Sequence, residues 1–322
     1  MGPDERAMSQ APGRLDRPRH VSTSDPDSTP DPGSTRAPGR GRILVIEDNA
    51  VNQLVAVGVL EGFGYTVVLA EDGAAGVSAV AKDLTGFTAI LMDCQMPVMD
   101  GYDATRAIRA MTSNRPRLPI IAMTAGAETE ERQRCLDSGM DDYLLKPVDV
   151  VLLGKTLDRW ILSPETATAT AAEPSVRLSP RLGDPPEDLG VLDRSRLLEL
   201  LESGAADLAL LFKILNRFGT RADDAVLDLA AAVRADDPDE VSRVAHSLRG
   251  GAANVGLVRL AERCEAIELK ANRGVLPPAS TLFEIEDEVV AGVAQLASFA
   301  RDMTRDLALA EEALLRDASS PS

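Results

Sequence analysis

Residues 88–101 read TAILMDCQMPVMDG, and the fold follows from how this stretch is understood. Ala89, Ile90, Leu91 and Met92 form an apolar run with the length and bulk of a strand buried on both faces. The run ends abruptly in Asp93, and Pro97 follows. In an open α/β sheet, ligands and chemistry collect just beyond the carboxyl ends of the strands, and this reading puts the Asp93 carboxylate there. The alternative is a turn-forming Asp that only starts the next loop.

Working outward, short apolar runs alternate with helical periodicity from Arg42 onward. Strands are expected over 43–46, 65–70, 89–93, 118–124 and 143–145, and helices over 50–62, 73–82, 103–112, 128–138 and 150–162. Such a succession of βα units implies a parallel sheet covered on both faces. Glu47 and Asp48 then end the first strand, Asp93 the third and Thr124 the fourth, while Lys146 follows the fifth. Three carboxylates, a hydroxyl and an ammonium therefore converge on one sheet edge, which a chance turn at Asp93 does not explain.

The segments ILVIEDNAVNQ (43–53), ILMDCQMPVMDGYDATRAIR (90–109), PIIAMTA (119–125) and GMDDYLLKP (139–147) resemble the receiver domain of two-component signalling over residues 41–162. Their wording is closest to the receivers attached to hybrid sensor kinases. The resemblance implies a flavodoxin-like, five-stranded sheet of order 2-1-3-4-5 and a phosphoaspartate at Asp93. Asp93 is ionised at neutral pH and able to attack phosphorus. Mg²⁺ takes oxygen ligands and keeps several waters, so Glu47, Asp48 and Asp93, with the Cys94 backbone carbonyl, suit it. Lys146 would hold one phosphoryl oxygen and Thr124 another. Thr124 and Tyr143 match the positions that switch conformation in this family, although Tyr143 also reads as an ordinary half-buried strand aromatic. The resemblance further implies a cis Lys146–Pro147 bond, and Gly126 stands where related receivers often carry Asn.

Residues 1–40 mix Pro, Gly, Ser, Asp and Arg with almost no large apolar side chains and read as disordered; His20 there reads as a solvated residue. Residues 163–190 read as a Pro/Thr/Ala-rich linker, spanning roughly 30 Å root-mean-square as a flexible coil. The formal net charge is -17, and both 41–162 and 191–322 carry an acidic excess. Neither supplies the cationic surface that drives nucleic-acid binding or attraction to anionic membranes. Cys94, Cys135 and Cys264 stand far apart without CxxC spacing, which fits reduced thiols in the cytoplasm rather than zinc or a disulfide framework. No apolar run approaches a membrane span, and no export signal is evident.

Beyond Leu192 the periodicity is helical throughout, with helices expected over 193–202, 206–235, 239–255, 257–271 and 281–315, an all-α bundle. In the third of these, Val241, Val244, Ala245, Leu248, Ala252 and Val255 form one stripe. His246 lies about 140° from Val241 and is expected to face solvent, flanked by Arg243 and Arg249 with Ser242 and Gly250 beside it. Gly250 and Gly251 each cost roughly 1 kcal/mol in a helix interior, so close approach by another backbone is expected there. After Gly256 the stripe changes phase, implying a helix break. The stretch AHSLRGGAANVG (245–256) resembles the H-x-L-K-G-x-x-x-x-x-G pattern of histidine phosphotransfer (HPt) domains, which are four-helix bundles carrying a phosphorylatable His. Arg249 stands where Lys is more usual, exchanging a point charge for a planar fork.

The expected organisation is a disordered segment over 1–40, a receiver over 41–162, a linker over 163–190 and an HPt bundle over 191–322. The expected function is a phosphorelay with Mg²⁺, Asp93 and His246 as phosphoacceptors, and Arg243, Arg249 and Gly250 beside the phosphoryl group. The expected partners are an upstream sensor histidine kinase and other receiver or HPt proteins. The chain shows no P-loop and no glycine-rich ATP lid, so it is not expected to phosphorylate itself from ATP. The competing class is a response regulator whose helical domain is only a partner-binding module controlled by Asp93. A DNA-binding output is disfavoured by the acidic C-terminal half.

Overall fold

A computed structural model of the protein describes residues 39–126, 129–162, 192–202 and 207–318. The expected linker, and all but the last two residues of the expected disordered segment, lie outside the described residues.

The first half alternates β1 (Arg42–Ile46), α1 (Ala50–Gly62), β2 (Thr66–Ala70), α2 (Gly73–Lys82), β3 (Ala89–Asp93), α3 (Gly101–Thr112), β4 (Ile120–Thr124), α4 (Thr129–Ser138), β5 (Asp142–Leu145) and α5 (Val150–Leu162). All strand pairs are parallel, in the order β2-β1-β3-β4-β5. Every residue of β3 and β4 is buried, as their continuous apolar runs require, whereas the edge strands β2 and β5 are only partly so. Side chains alternate between the two faces: Leu44, Ile46, Ile90 and Met92 pack with Ile108 and Tyr102, while Ile43, Val45, Leu91 and Ile121 pack with Val55, Val59 and Leu157.

Element ends differ from the sequence reading by one or two residues, for local reasons. β4 begins at Ile120 rather than 118, because Pro119 has no N–H to give the ladder and contributes only its carbonyl, to Ile90 N at 2.8 Å. α3 begins at Gly101 rather than 103, because the Asp100 carboxylate caps it by accepting from Asp103 N at 2.7 Å.

The second half is helical: α6 (Arg194–Glu202), α7 (Leu208–Arg234), α8 (Pro238–Asn254), α9 (Val258–Ala271) and α10 (Ala279–Ala318). Contacts run from α7 to α8, α8 to α9, α9 to α10 and α10 back to α7, closing a four-helix bundle around Phe218, Leu248, Ala252, Leu260, Cys264 and Val289. The expected break is real: Gly256 has φ +78°, and a Cβ there would run into the Asp193 carbonyl. The described residues from Gly39 onward pack together, with α1 against α7 and α8, so one sheet face and the bundle share a continuous apolar core. Among the described residues no helix is long and apolar enough to cross a membrane.

Candidate functional site

Parallel strands end on the same side of the sheet, and this brings the candidate residues together. Glu47, Asp48 and Asp93 each offer a carboxylate oxygen, all within 4.8 Å of one another. Glu47 and Asp93 are almost wholly buried, at 1% and 2% exposure. Lys146 reaches between them, its Nζ 2.8 Å from both Glu47 Oε2 and Asp93 Oδ2. These are ion-pair contacts and not well-directed hydrogen bonds, so both oxygens keep unspent acceptor capacity. The loop after Asp93 turns back at once, and Gly101 makes that possible: a Cβ there would collide with the Asp93 carbonyl. The Cys94 carbonyl accepts from Gly101 N at 3.1 Å and retains a second lone pair.

The charges oppose and support one another in a readable way. Burial raises the Asp93 carboxyl to about 7, the nearby Glu47 carboxylate adds to this, and Lys146 opposes it. Asp48 is raised by burial and then by Glu47. Burial pulls Lys146 down, but the Asp93 and Glu47 carboxylates outweigh it and hold the ammonium well above its ordinary range. A buried, oxygen-only, acceptor-rich cluster of this kind fits a hard divalent cation such as Mg²⁺.

The raised Asp93 carboxyl makes a prediction for the metal-free protein. A carboxyl whose folded pKa lies above its unfolded value costs nothing when both states are protonated. Its stability cost grows as pH rises from the ordinary carboxylate range through about 7. Asp93→Asn is therefore expected to raise the metal-free Tm at pH 8 by several degrees, roughly 1–3 kcal/mol, with the gain vanishing towards pH 4. Thermal melts with a chelator across that range check it; a gain independent of pH contradicts it.

Thr124 is buried at the end of β4, and its hydroxyl donates to Glu131 Oε1 while accepting from Gly126 N at 3.2 Å. A Cβ at Gly126 would meet the Glu131 carboxylate, the movable end of that side chain. Tyr143 on β5 is half-buried, with the Arg132 guanidinium 5.6 Å from its ring centroid. Lys146–Pro147 is cis, as the resemblance implies.

His246 lies off the bundle's apolar stripe, as expected, but only 14% of its side chain meets solvent, because the receiver faces it. It borders a cleft of about 700 Å³ together with Asp48, Cys94, Gln95, Arg243 and Glu268, and a second pocket together with Ala125, Lys146, Pro147 and Arg249. It is near enough that a positive charge on the ring would pull both the Asp48 and Asp93 carboxyls down. The imidazole thus shares one cleft with Asp48 and Cys94 and a second with Lys146.

Sequence reasoning missed Glu268. Its Oε1 lies 2.9 Å from His246 Nδ1, while Arg249 Nη2 approaches the same nitrogen at 3.3 Å. One nitrogen cannot donate and accept together, and the shorter, carboxylate contact favours Nδ1 as the donor, the tautomer in which Nε2 carries the lone pair. A signal was present: Glu268 sits in the α9 apolar stripe, between Cys264 and Ala271, where an unpartnered acid has no place. The two flanking arginines are not bare cations, since Arg243 bonds Glu240 at 2.7 and 2.5 Å and Arg249 lies 3.3 Å from both Glu265 and Glu268. Gly250 is approached by a side chain and not by a backbone: a Cβ would stand 3.0 Å from Asn52 Nδ2.

Comparisons with known proteins place these features in families. The response regulator receiver domain matches residues 43–158, and the Hpt domain matches residues 213–299. The sensor histidine kinase GacS of Pseudomonas protegens is 33% identical over 264 residues, covering 81% of this chain and 27% of that protein. The virulence sensor protein BvgS of Bordetella pertussis is 31% identical over 236 residues, covering 71% of this chain and 18% of that protein. The chain thus spans about a quarter or less of the length of these relatives. Among solved structures, the receiver domain of sensor histidine kinase PA1611 from Pseudomonas aeruginosa, with a magnesium ion coordinated in its active-site cleft, is 46% identical. It covers 39% of this chain and 100% of that one, with a TM-score of 0.35. Residues 43–158 are thus a response regulator receiver domain and residues 213–299 an Hpt domain, joined in one polypeptide.

Proposed function

We propose that this protein is a phosphorelay component of a cytoplasmic two-component system, with a receiver over 41–162 and a phosphotransfer bundle over 191–322, passing one phosphoryl group between Asp93 and His246. The observation that carries the reading is the shared cleft: the only histidine among the described residues borders the same space as the Asp48 carboxylate and Cys94, and lines a second pocket with Lys146. The partners are an upstream sensor histidine kinase and other receiver or HPt proteins, as the kinship to sensor kinases supports.

In this reading Glu47, Asp48, Asp93 and the Cys94 carbonyl would hold Mg²⁺, which would supply positive charge to screen the anionic phosphoryl group from the anionic nucleophile. An Asp93 carboxylate oxygen attacks phosphorus, and the donor leaves with the electron pair of its own bond. Lys146 sits beside Asp93 to hold a phosphoryl oxygen. Thr124 exchanges Glu131 for a second phosphoryl oxygen, and Tyr143 moves with it. For transfer to the bundle, Nε2 of neutral His246 attacks phosphorus; the P–N bond forms as the P–O bond to Asp93 breaks, and the pair returns to the Asp93 carboxylate. Nδ1 keeps its proton, shared with Glu268, which offsets the imidazolium charge that develops. Arg243, Arg249 and Gly250 surround the acceptor, the arginines as charge and the glycine as room.

Glu268 is a positioning residue on this account. Glu268→Ala is expected to slow transfer to His246 roughly tenfold or more, with Glu268→Gln recovering part of it by keeping an acceptor oxygen for Nδ1–H. Single-turnover transfer checks this, and equal rates for Ala and Gln variants would remove the tautomer argument.

The reading itself is tested by incubating the full chain and Mg²⁺ with a labelled small acyl phosphate. The expected result is two kinds of label, a base-labile acyl phosphate on Asp93 and an acid-labile phosphoramidate on His246. Label confined to Asp93 leaves the bundle as a binding module.

A further inference from the structure

We infer that the receiver's docking partner is the bundle of its own chain, and that Asn49 and Asn52 on the α1 end of the receiver select it; the functional half of this inference rests on the relay reading above. Asn49 spends its whole side chain at the junction. Its Oδ1 caps α1, accepting from Val51 N at 2.8 Å and Asn52 N at 3.3 Å, while its Nδ2 donates to Ser247 O at 2.6 Å and contacts Ser247 Oγ at 3.1 Å. Ser247 is the residue after His246, so this contact sets the acceptor's position along α8.

Asn52 does more. Its Nδ2 donates to Glu47 Oε1 at 2.7 Å, and its Oδ1 accepts from Asn254 Nδ2 at 2.8 Å. Both asparagines are buried, at 8% and 6% exposure. One amide therefore ties an acidic-pocket residue to the bundle. Arg196 adds a third polar tie, to the Val148 carbonyl at 3.0 Å. Around these ties the contact is apolar: Val51 and Val55 of α1 belong to the same packed cluster as Phe218, Val244 and Leu248.

Gly250 completes the fit, since a Cβ there would stand 3.0 Å from Asn52 Nδ2, whereas a Cβ at Gly251 would make ordinary contact with Phe218 of the bundle at 3.4 Å and Asn49 Nδ2 at 3.6 Å. A helix that accepts an interior glycine where a neighbour's asparagine approaches is shaped for that neighbour. Buried amides are poor general adhesives but effective discriminators: a partner without the matching group leaves each one unpaired, and the cost falls on the wrong partner. With the bundle seated, α1 is not open to other partners, so exchange with outside proteins requires undocking first.

The test uses the full chain and the variant Asn254→Asp, which sets a carboxylate against Asn52 Oδ1 and near Glu47. Asp93 is loaded with a labelled small acyl phosphate in Mg²⁺, and transfer to His246 is followed at several dilutions. Hydrogen exchange of α1, α8 and β3 is measured in parallel. In the wild type the transfer rate is expected to be first-order and independent of concentration. Asn254→Asp is expected to slow it at least tenfold at high dilution and to raise exchange in α1 and α8, with loading of Asp93 and protection of β3 unchanged. An Asn52→Ala/Asn254→Ala cycle is expected to be non-additive, which guards against a fold defect in one variant. A wild-type rate proportional to concentration overturns docking in cis, and Asn254→Asp with unchanged rate and exchange overturns the selecting role of the asparagines. If no label reaches His246 at any concentration while exchange still responds to Asn254→Asp, the relay reading fails and the docking stands.

Discussion

A chain carrying Asp93→Asn is expected to take up no receiver phosphate from a small acyl phosphate, a loss on the order of 10³-fold or more, because an amide oxygen is no substitute for an anionic nucleophile. If transfer to the bundle runs only through Asp93, label on His246 from that donor disappears as well. His246→Gln gives the complementary pattern: Asp93 still loads, and the acid-labile label is lost. The pair of patterns matters more than either loss, since a general fold defect removes both signals at once. Label on His246 persisting at full level in Asp93→Asn with the small donor would mean that the imidazole has its own donor, and the proposed order of transfer would be wrong.

Lys146→Ala is the second large effect, and it separates stability from chemistry. The ammonium lies between two buried carboxylates, 2.8 Å from each, with 9% of its side chain exposed. Removing it leaves the buried Glu47 and Asp93 carboxyls without a counterion, so that they ionise together only at a cost, and the metal-free protein is expected to be destabilised by about 3–5 kcal/mol above neutral pH. Mg²⁺ is expected to restore much of that, because it supplies positive charge to the same oxygens. Phosphoryl transfer is not restored: without a cation on the phosphoryl oxygen, a loss of roughly 10²–10³-fold remains at saturating Mg²⁺. Melts with and without Mg²⁺, and single-turnover loading at saturating Mg²⁺, check the two halves separately. Near wild-type loading in Lys146→Ala would remove the lysine from the mechanism.

The receiver half was the more legible, and the reason is geometric. Continuous apolar runs mark β1, β3 and β4 because those strands are buried on both faces. Once they are parallel, their last residues must share an edge. Glu47, Asp48, Asp93, Thr124 and Lys146 were therefore nameable from strand ends alone. The bundle half showed its helices and the off-stripe position of His246, but not what lies opposite. His246 was expected in solvent and is largely covered, since the receiver occupies the space it faces. Contacts of that kind join residues some 200 apart in sequence, as Asn52 and Asn254 do, and no local period encodes them. Glu131 escaped notice for a related reason: an acid in the first turn of α4 looks like helix-end electrostatics, and only the fold brings it to Thr124. Of the two interior glycines, Gly250 signalled a close neighbour but misnamed it, and Gly251 has only ordinary contacts, since glycine reports missing volume and not the identity of what fills it.

The shared pocket is tested most directly by phosphorus NMR of the intact chain loaded with a small acyl phosphate in Mg²⁺. Two protein-bound resonances are predicted, one in the acyl phosphate range and one in the phosphoramidate range, the first absent in Asp93→Asn and the second absent in His246→Gln. A wild-type spectrum with only the acyl phosphate, unchanged by His246→Gln, would contradict the account.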